Sequence, residues 1–491
     1  MKIKFIAAAV IAAFSFTESL SAQSCSIDPT LYTGRVVSGA FYYSTGKSSL
    51  AMFHGINFLS NHYCYLDVWE PGIGVNQVWS SNSFDATKIT DRVVSGDFDN
   101  DGYQDDVAAI YDEGFYSSAY HASIRTWCYN NNITAPAFSY NSAAWPSTSG
   151  YDATKVTGRV VSGDFDHDGY VDDIAAFYDY GDGHTKIHVW ISNGSTFSYA
   201  WWWDMASGYW PSQFTGRVVC GDFDHNNYFD NIAVLYDYGS GSMHIHMFTT
   251  NSSHNGFDYT GGNGWWYTPS GYSASNISYR VAVGNYDRSG VINDKSDDIV
   301  AIYDYGSGAA KAHVWTSNGS SFSYQFKWEV PSGFNASNIT DRFVPFEPDD
   351  EDNPDKCYGM LGLYNYGTST TTTYQWQAST GSGWDFNSFN ENFCPARMAN
   401  PALTSADAIM NVNVYPNPAD GHFTFEMLPT NSGETQLSVV DLTGREIYAI
   451  KVDATQGYRQ EIDLSSFGKG VYLLQVKAPG QQTEVKRLVV Q

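Results

Sequence analysis

Positive charge is scarce in this chain of 491 residues. Lys and Arg together number 26 against 52 Asp and Glu, which gives a formal net charge of −26 at pH 7. A nucleic-acid-binding protein needs a basic surface that neutralises phosphates, so nucleic acid is not an expected partner. The carboxylates are spread along the whole chain, where they repel one another unless cations lie among them. The charge balance therefore favours a protein that binds metal cations.

Cysteines are few and far apart. The six stand at positions 25, 64, 128, 220, 357 and 394. No two have the CxxC spacing of common zinc sites, so a cysteine-rich zinc cluster is not expected. Cysteines of exported proteins form disulfides. We expect pairing among them, with a bridge between Cys25 and Cys394 that ties together the two ends of the region between them.

Long apolar runs are missing after the first 22 residues. The chain starts with Met-Lys-Ile-Lys, continues with the run FIAAAVIAAF and reaches the small pair Ser21-Ala22. This order of a charged, an apolar and a small-residue region is that of a signal peptide, predicted over residues 1–22. No later run approaches the roughly 18–20 apolar residues that cross a bilayer. We therefore expect an exported protein without a transmembrane segment.

Catalytic motifs are absent from the sequence as well. It contains no GxSxG, HExxH or P-loop pattern. Acidic side chains are abundant enough to supply an acid and a base by chance. Their number therefore says nothing about glycoside hydrolysis, which needs one pair at a defined separation. The sequence predicts a non-enzymatic protein.

A repeat of about sixty residues dominates what is present. Six segments open with an Arg and a short apolar run, and successive openings are 57 to 67 residues apart. The openings are Arg35-Val-Val-Ser-Gly, Arg92-Val-Val-Ser-Gly, Arg159-Val-Val-Ser-Gly, Arg217-Val-Val-Cys-Gly, Arg280-Val-Ala-Val-Gly and Arg342-Phe-Val-Pro-Phe. Repeats at a fixed period indicate stacked units that bury their faces against one another. We expect the Arg to be structural and to pair with carboxylates of an adjacent turn.

Each copy contains four short runs of β-branched and aromatic residues separated by Gly, Asn, Asp or Ser, which is typical of strands joined by hairpins. The third run ends in an aromatic residue, which we interpret as packing between sheets. These residues are Trp69, Trp127, Trp190, Phe248, Trp315 and Trp376. Four-stranded units repeated six times fit the blades of a β-propeller, whose closure protects the sheet edges. The predicted fold is all-β, with a propeller over residues 25–396 that has six blades or a seventh assembled from both ends.

Asp-rich loops follow the openings of the second, third and fourth copies. Oxygen ligands at loop positions 1, 3, 5 and 9, with Gly at position 6 and a main-chain carbonyl at position 7, suit a cation of the size of Ca²⁺. The candidate ligands are Asp97, Asp99, Asp101, Tyr103 and Asp105 in the first loop, Asp164, Asp166, Asp168, Tyr170 and Asp172 in the second, and Asp222, Asp224, Asn226, Tyr228 and Asp230 in the third. A solvated acidic turn is the alternative, but it would not need four carboxylates at one spacing in successive copies.

The remaining copies depart from this pattern. The fifth copy begins Asn285-Tyr-Asp287 and carries an insertion before Asp297, which leaves calcium there open. The first copy has no carboxylate after its opening, and the last is acidic without the spacing. The sequence therefore predicts about three structural calcium sites.

The Asp-rich loops resemble the calcium-binding hairpin loops, Asp-x-Asp-x-Asp-Gly-x-x-Asp, of FG-GAP or VCBS repeats in integrin-α-like propellers. The resemblance covers residues 30–390 and is most specific at 97–105 and 164–172. It implies a scaffold in which calcium is mainly structural and the propeller recognises proteins or sugars. Fold alone does not define the ligand.

The composition changes after Cys394. A linker rich in Pro, Ala, Ser and Thr over residues 397–409 leads to short alternating strands, with Val414-Tyr-Pro-Asn-Pro near the start and Val471-Tyr-Leu-Leu-Gln-Val near the end. This pattern predicts a small antiparallel β-sandwich. Residues 410–491 resemble the C-terminal sorting domain of the type IX (Por) secretion system of Bacteroidetes. The resemblance implies passage across the outer membrane and release or attachment at the cell surface.

Aromatic residues make up 16% of the chain, and some of them cluster in runs. Exposed flat rings beside Asn, Ser and Asp suit sugars, because C–H faces stack on the ring while polar groups bind hydroxyls. The candidates are Trp201, Trp202, Trp203, Trp210, Trp265 and Trp266. The leading hypothesis is a non-enzymatic surface protein that binds glycans, with a protein ligand as the other binding option. The alternative is a polysaccharide lyase or glycoside hydrolase on a calcium-stabilised propeller.

Overall fold

The computed structural model describes residues 28–41, 48–58, 61–70, 74–129, 138–146, 150–286, 297–346, 359–366, 371–378, 384–389, 412–415, 419–427, 434–441, 445–453, 458–477 and 484–491. The chain divides into two compact units, residues 1–397 and residues 398–491. The predicted signal peptide over 1–22, the linker over 397–409 and the proposed Cys25–Cys394 bridge lie outside the described residues. The three described cysteines, Cys64, Cys128 and Cys220, are free thiols.

The described residues of the first unit form six antiparallel sheets, and each takes its strands from one repeat in chain order. The strands of blades 1 to 3 are β1 (Val36–Gly39), β2 (Ser49–Phe58), β3 (Asn61–Glu70), β4 (Gly74–Ser81), β5 (Val93–Gly96), β6 (Asp106–Tyr116), β7 (Ala119–Tyr129), β8 (Phe138–Trp145), β9 (Val160–Gly163), β10 (Asp173–Gly181), β11 (His184–Ser192) and β12 (Phe197–Met205). This arrangement confirms the predicted propeller of four-stranded blades.

Blades 4 to 6 repeat the arrangement with one variation. Their strands are β13 (Val218–Gly221), β14 (Asn231–Gly239), β15 (Ser242–Thr250), β16 (Phe257–Thr260), β17 (Trp266–Thr268), β18 (Val281–Gly284), β19 (Asp298–Gly306), β20 (Ala309–Ser317), β21 (Phe322–Val330), β22 (Phe343–Phe346), β23 (Gly359–Asn365), β24 (Thr371–Ala378) and β25 (Trp384–Phe389). In blade 4 the outer strand is split into β16 and β17, which both pair with β15. Gly264 lies in the break, where a Cβ atom would meet the Ile245 carbonyl oxygen at 1.9 Å.

A short 3₁₀ helix precedes the inner strand of every blade. The six helices are Pro29–Tyr32, Ala86–Ile89, Ala153–Val156, Pro211–Gln213, Ala274–Ile277 and Ala336–Ile339. Several begin with an Asp whose carboxylate caps the helix, as when Asp152 accepts from the Thr154 backbone N–H at 3.0 Å. No helix among the described residues is long and apolar enough to span a membrane.

A closed ring of six backbone hydrogen bonds joins the blades where the inner strands begin. Each member immediately precedes the repeated Arg, has a positive φ, and bonds to the carbonyl oxygen of the equivalent residue one blade back, at 2.7–3.2 Å. The members are Gly34, Asp91, Gly158, Gly216, Tyr279 and Asp341. The N–H of Gly34 donates to Asp341, so blade 1 lies next to blade 6 and six blades close the ring. We call this end of the propeller the ring face and the opposite end the loop face.

The repeated Arg is a clip between neighbouring blades. The guanidinium of Arg159 donates to the Phe177 carbonyl at 3.2 Å within its own sheet and to the Thr215 hydroxyl of the next blade at 2.5 Å. The same pairs recur as Arg35 and Thr90, Arg92 and Thr157, Arg217 and Ser278, Arg280 and Thr340, and Arg342 and Thr33. The expectation of carboxylate partners is wrong, because these donors meet neutral carbonyls and hydroxyls. The predicted structural role of the Arg is confirmed.

In blades 2 to 6 the aromatic residue on the third strand packs against an aromatic residue on the fourth strand of the preceding blade. The ring centroids are 5.0–5.7 Å apart and the rings meet edge to face. The pairs are Trp79 and Trp127, Trp145 and Trp190, Trp203 and Phe248, Trp266 and Trp315, and Trp328 and Trp376. Such rings bury large areas with a preferred geometry, so they fill the wedge between sheets. The predicted packing role of this aromatic is confirmed.

The second unit is a β-sandwich, as the sequence predicts. One sheet has the order β26-β27-β30 and the other β29-β28-β31-β32, with all neighbours antiparallel. The strands are β26 (Val412–Tyr415), β27 (His422–Met427), β28 (Glu434–Asp441), β29 (Glu446–Asp453), β30 (Tyr458–Asp463), β31 (Gly470–Lys477) and β32 (Glu484–Val490). Side chains from both sheets form its core, among them Phe425, Val439 and Leu474.

Candidate functional site

The Asp-rich loops of blades 2, 3 and 4 connect the first and second strands on the loop face. In blade 2, the carboxylate of Asp97 accepts from the backbone N–H groups of Asp101 (3.0 Å) and Gly102 (2.9 Å). Gly102 has φ of 95°, which a residue with a side chain rarely adopts. These bonds fold the loop back on itself and gather its carboxylates. Asp97, Asp99 and Asp101 each place an oxygen within 4.8 Å of the others, as do Asp164, Asp166 and Asp168 in blade 3.

The carboxylate at loop position 9 is the strongest sign of a cation. Asp105 and Asp172 are each 1% exposed, and neither oxygen of either carboxylate has a hydrogen-bond partner. Burial, with the neighbouring loop carboxylates, raises the pKa of Asp105 to about 8. A buried carboxylate without a partner costs several kcal/mol unless a cation or donor compensates it. The loops of blades 2 and 3 therefore have the ligand set and the uncompensated oxygens that fit a calcium ion.

The loop of blade 4 is built differently. Asp230 at position 9 is also 1% exposed, but its carboxylate pairs with Nε2 of His167 from blade 3 at 2.8 Å. The Asn226 amide lies 3.4 Å from the Asp224 carboxylate and 3.5 Å from that of Asp230. Asp222 still binds the backbone N–H groups of the turn, at Asn226 and Asn227. The Asn226 amide and the His167 ring thus compensate the carboxylates of this loop in part, which makes it the weakest of the three predicted sites.

The loops of the other blades are only partly described. In blade 5 the carboxylate of Asp297 accepts from the Asp222 backbone N–H at 2.8 Å, so it links two blades. Asp287 and the insertion that follows it lie outside the described residues, as do the acidic loop of the last copy and most of the first.

Sequence reasoning missed the residue at position 10 of each loop. In blade 3 the carboxylate of Asp173 binds the backbone N–H groups of Phe165, Asp166 and Ser192, so it fixes the loop to the third strand. Asn231 and Asp298 bind the equivalent loop N–H groups in blades 4 and 5. The recurring pair of polar residues at positions 9 and 10 was the available signal.

The six predicted aromatic candidates separate into two groups. Trp203 and Trp266 fill the blade interfaces, while Trp202 packs on Phe257 and Trp265 on Phe322, and all four are partly buried. Trp201 and Trp210 are 56% and 47% exposed. A β-bulge at Trp202 separates the directions of the three consecutive tryptophans.

Trp201 belongs to a cluster on the ring face that recurs in blade 5. The Lys186 ammonium lies 4.4 Å from the Trp201 ring centre and 2.9 Å from the Asp204 carboxylate. In blade 5 Lys311 lies 4.5 Å from the ring centre of Phe326, which is 54% exposed, and 2.7 Å from Glu329. An exposed Tyr on the second strand completes each cluster, Tyr180 in one and Tyr305 in the other. We call these the aromatic clusters of blades 3 and 5.

Three buried histidines lie on the third strands of blades 3, 4 and 5. His188, His246 and His313 are at most 1% exposed, and each contacts tyrosine hydroxyls through both ring nitrogens. They stand in separate blades, and each packs against tyrosine rings of its own surroundings. Burial lowers the pKa of His188 to about 3 and those of His246 and His313 to about 4.

Together, the two units define an exported β-propeller with a sorting domain. Residues 413–491 match the family of secretion system C-terminal sorting domains. This match identifies the second unit as a type IX sorting domain, so the protein crosses the outer membrane to the cell surface or the extracellular space and is handled by the type IX machinery. No curated protein shows significant sequence similarity to the chain.

Several solved structures share low similarity with the chain. AofleA from Arthrobotrys oligospora is 11% identical over 74% of this chain and 87% of its own, with a TM-score of 0.43. A protein from Lactobacillus plantarum is 10% identical over 88% of this chain and 100% of its own, with a TM-score of 0.36. An endo-arabinase from Bacteroides thetaiotaomicron is 9% identical over 57% of this chain and 89% of its own, with a TM-score of 0.28. Scores this low carry no argument about function.

Proposed function

We propose that the propeller is a non-enzymatic, calcium-stabilised module that binds glycans at or near the cell surface. The observation that supports this most is the aromatic cluster of blade 3. Trp201 is 56% exposed and lies beside a lysine and a carboxylate that are themselves paired at 2.9 Å. A pyranose can stack its C–H face on such a ring while the ammonium and carboxylate bind its hydroxyls.

The recurrence of the cluster in blade 5 adds support. Lys311, Phe326 and Glu329 reproduce the cation, the exposed ring and the anion in the same order on the same strands. Large exposed aromatic side chains lower solubility, so the presence of such rings at equivalent positions of two blades favours a binding role. Two equivalent clusters on one rigid ring would engage repeated sugars of one polymer, and such bivalent engagement strengthens binding without new contacts.

Calcium has a structural part in this proposal. The fitting loops lie on the loop face, whereas the aromatic clusters lie at the ring-face ends of the outer strands. A loop of blade 2 also bonds across to blade 3, where the Asp97 backbone N–H donates to the Val171 carbonyl at 2.9 Å. Ions that neutralise the loop carboxylates would therefore stabilise the junctions between blades rather than contact the sugar.

A glycan array with the calcium-loaded protein tests the proposal. We expect binding to a defined set of glycans, weakened about ten-fold or more by Trp201→Ala or Phe326→Ala, as for an interface residue that carries much of the energy. Phe115→Ala is the matched control, because Phe115 is 63% exposed on blade 2 and has no lysine over its ring. Each variant should unfold at the temperature of the parent protein.

Two results would contradict the proposal and assign another function. An array without hits, together with tight binding to a surface protein, would assign a protein adhesin. Turnover of a polysaccharide panel that is lost on changing one carboxylate outside the loops would assign a lyase or hydrolase.

A further inference from the structure

Blade 2 differs from its neighbours next to the Asp-rich loop. In blade 3 both oxygens of Asp173, at loop position 10, are used: Oδ1 accepts from Ser192 N–H at 2.9 Å, and Oδ2 accepts from the loop at 2.9 and 3.2 Å. In blade 5 Asp298 likewise uses one oxygen for Ser317 and the other for Tyr286. The position-10 side chain is therefore normally satisfied by its own blade.

Asp106 holds position 10 in blade 2 and is satisfied on one side only. Its Oδ1 accepts from the Tyr129 backbone N–H at 2.7 Å. Its Oδ2 is buried without a hydrogen-bond partner, although the residue is 0% exposed. Among the described Asp residues at position 10 only Asp106 has an unbonded oxygen, since Asp173 and Asp298 fill the same position with both oxygens bonded. An uncompensated carboxylate oxygen of this kind points to a missing donor or cation.

A thiol and a second carboxylate lie beside this oxygen. Cys128 follows the packing residue Trp127, at the place held by Ile191, Thr249 and Thr316 in blades 3, 4 and 5. It is a free thiol, and its sulfur lies within 4.8 Å of a carboxylate oxygen of Asp106 and of Asp99. The thiol is only a weak hydrogen-bond donor, so on its own it compensates the buried Asp106 carboxylate poorly.

We propose that Cys128, Asp106 and Asp99 bind a borderline-soft divalent cation of the zinc class. Sulfur with two carboxylates is a donor set that zinc accepts, whereas calcium takes oxygen ligands alone. On binding, a metal–sulfur bond forms, the thiol proton leaves to solvent, and three anionic ligands offset the two charges of the ion. Three protein ligands leave a fourth position for water. Asp99 is also position 3 of the proposed calcium loop, so its carboxylate would be shared by two ions.

Zinc and cobalt titrations of the whole purified protein test this inference. They are made with calcium in large excess, so that the oxygen-only loops are filled before zinc is added. We expect one tightly bound zinc per chain. We also expect Co²⁺ to give a sulfur-to-cobalt charge-transfer band in the near ultraviolet, which only a thiolate ligand produces.

The test variants introduce residues that other blades of the protein carry at the equivalent positions. Cys128→Thr introduces the residue that blades 4 and 5 carry, and Asp106→Asn introduces the residue of blade 4, so both should fold. Each should weaken zinc binding by at least about ten-fold, and Cys128→Thr should remove the cobalt band, because each lacks one of three protein ligands. Cys220→Ser, matched to Ser95 and Ser162, removes another thiol and should leave both signals unchanged.

The inference fails if the parent protein and Cys128→Thr bind zinc equally, or if cobalt gives no charge-transfer band with the parent. It also fails if Cys220→Ser abolishes the band, which would place the thiolate ligand elsewhere. The metal titrations do not depend on any glycan, so the zinc site can be confirmed or rejected whatever the glycan array shows.

Discussion

The two faces of the propeller repeat in different ways. On the ring face the same backbone bond and the same Arg clip recur at all six junctions, with only Thr or Ser as the hydroxyl partner. On the loop face blades 2 and 3 each gather three carboxylates, whereas blade 4 has the amide of Asn226 in place of one of them and pairs Asp230 with His167 of blade 3. In blade 2 the Cys128 thiol also lies within 4.8 Å of two carboxylates. Features that recur without change serve the closure of the ring, and features that vary between blades are where function is to be sought.

The largest expected effect comes from breaking the ring face. Arg159→Lys keeps the charge but loses the fork that bonds three groups at once, leaving the Phe177 and Lys155 carbonyls and the Thr215 hydroxyl without that donor. We expect the free energy of unfolding to fall by about 3 kcal/mol, measured by chemical denaturation. Lys155→Ala, which keeps the backbone carbonyl, is the control and should change it by less than about 0.5 kcal/mol. An unchanged stability in Arg159→Lys would show that the clip is dispensable.

A smaller effect per substitution is expected from the loop face, and it should depend on calcium. Calcium at 100 times its dissociation constant stabilises by about 2.7 kcal/mol per site. A chelator should therefore lower the melting temperature. In Asp105→Asn the difference between the melting temperatures with calcium and with chelator should be smaller, by the contribution of one calcium site. In the chelated protein Asp105→Asn should not destabilise, because it replaces a buried carboxyl group whose two oxygens have no hydrogen-bond partner.

Asp230→Asn provides the comparison between loops. Asp230 is paired with His167, so its replacement should change the calcium-dependent shift less than Asp105→Asn does. A melting temperature that is insensitive to the chelator, with no calcium found by elemental analysis, would rule out the calcium sites.

The effect that is smallest at neutral pH, and grows only as the pH falls, concerns the buried histidines of blades 3, 4 and 5. Their folded pKa values of about 3 to 4 lie below the ordinary value near 6.5, so the unfolded chain takes up protons in this range and the folded chain does not. Their contribution to stability is complete above pH 6.5 and is lost as the pH falls towards 4, by about 1.4 kcal/mol per pH unit for each histidine. Stability curves from pH 7 to 4.5 should be less steep for His246→Gln than for the parent. Equal slopes would mean that this histidine is protonated in the folded protein.

Most of the fold could be predicted from repeated patterns in the sequence. An Arg opening every 57 to 67 residues and an aromatic at the end of the third run indicated the blade before any contact was known, and the alternating pattern after residue 410 indicated the sandwich. The Arg partners could not be predicted, because the Thr215 hydroxyl that Arg159 reaches is 56 residues away and lies beside it only after the ring closes.

Only part of each candidate site could be predicted from the sequence. The loops could be identified because their ligands are local in sequence, and the compensation of Asp230 was missed because His167 comes from another blade. Among the tryptophans, alternation alone would place Trp201 and Trp203 on one face of β12. The bulge between them changes the direction of one, so that Trp203 enters a blade interface and Trp201 stays in solvent. Such a local irregularity depends on packing and leaves no signal in the residue pattern.

The backbone ring also has a consequence for the order of assembly. Among the described strands, blade 1 consists of β1 to β4 and blade 6 of β22 to β25, so no described strand from one end of the propeller joins the sheet at the other end. Among the described residues the junction between these two blades is held only by noncovalent contacts, including the bonds from Gly34 to Asp341 and from Arg342 to Thr33. Each blade can therefore form as its segment emerges, whereas closure must wait for the last blade. An exported chain would stay an open arc until residues near 342 have arrived.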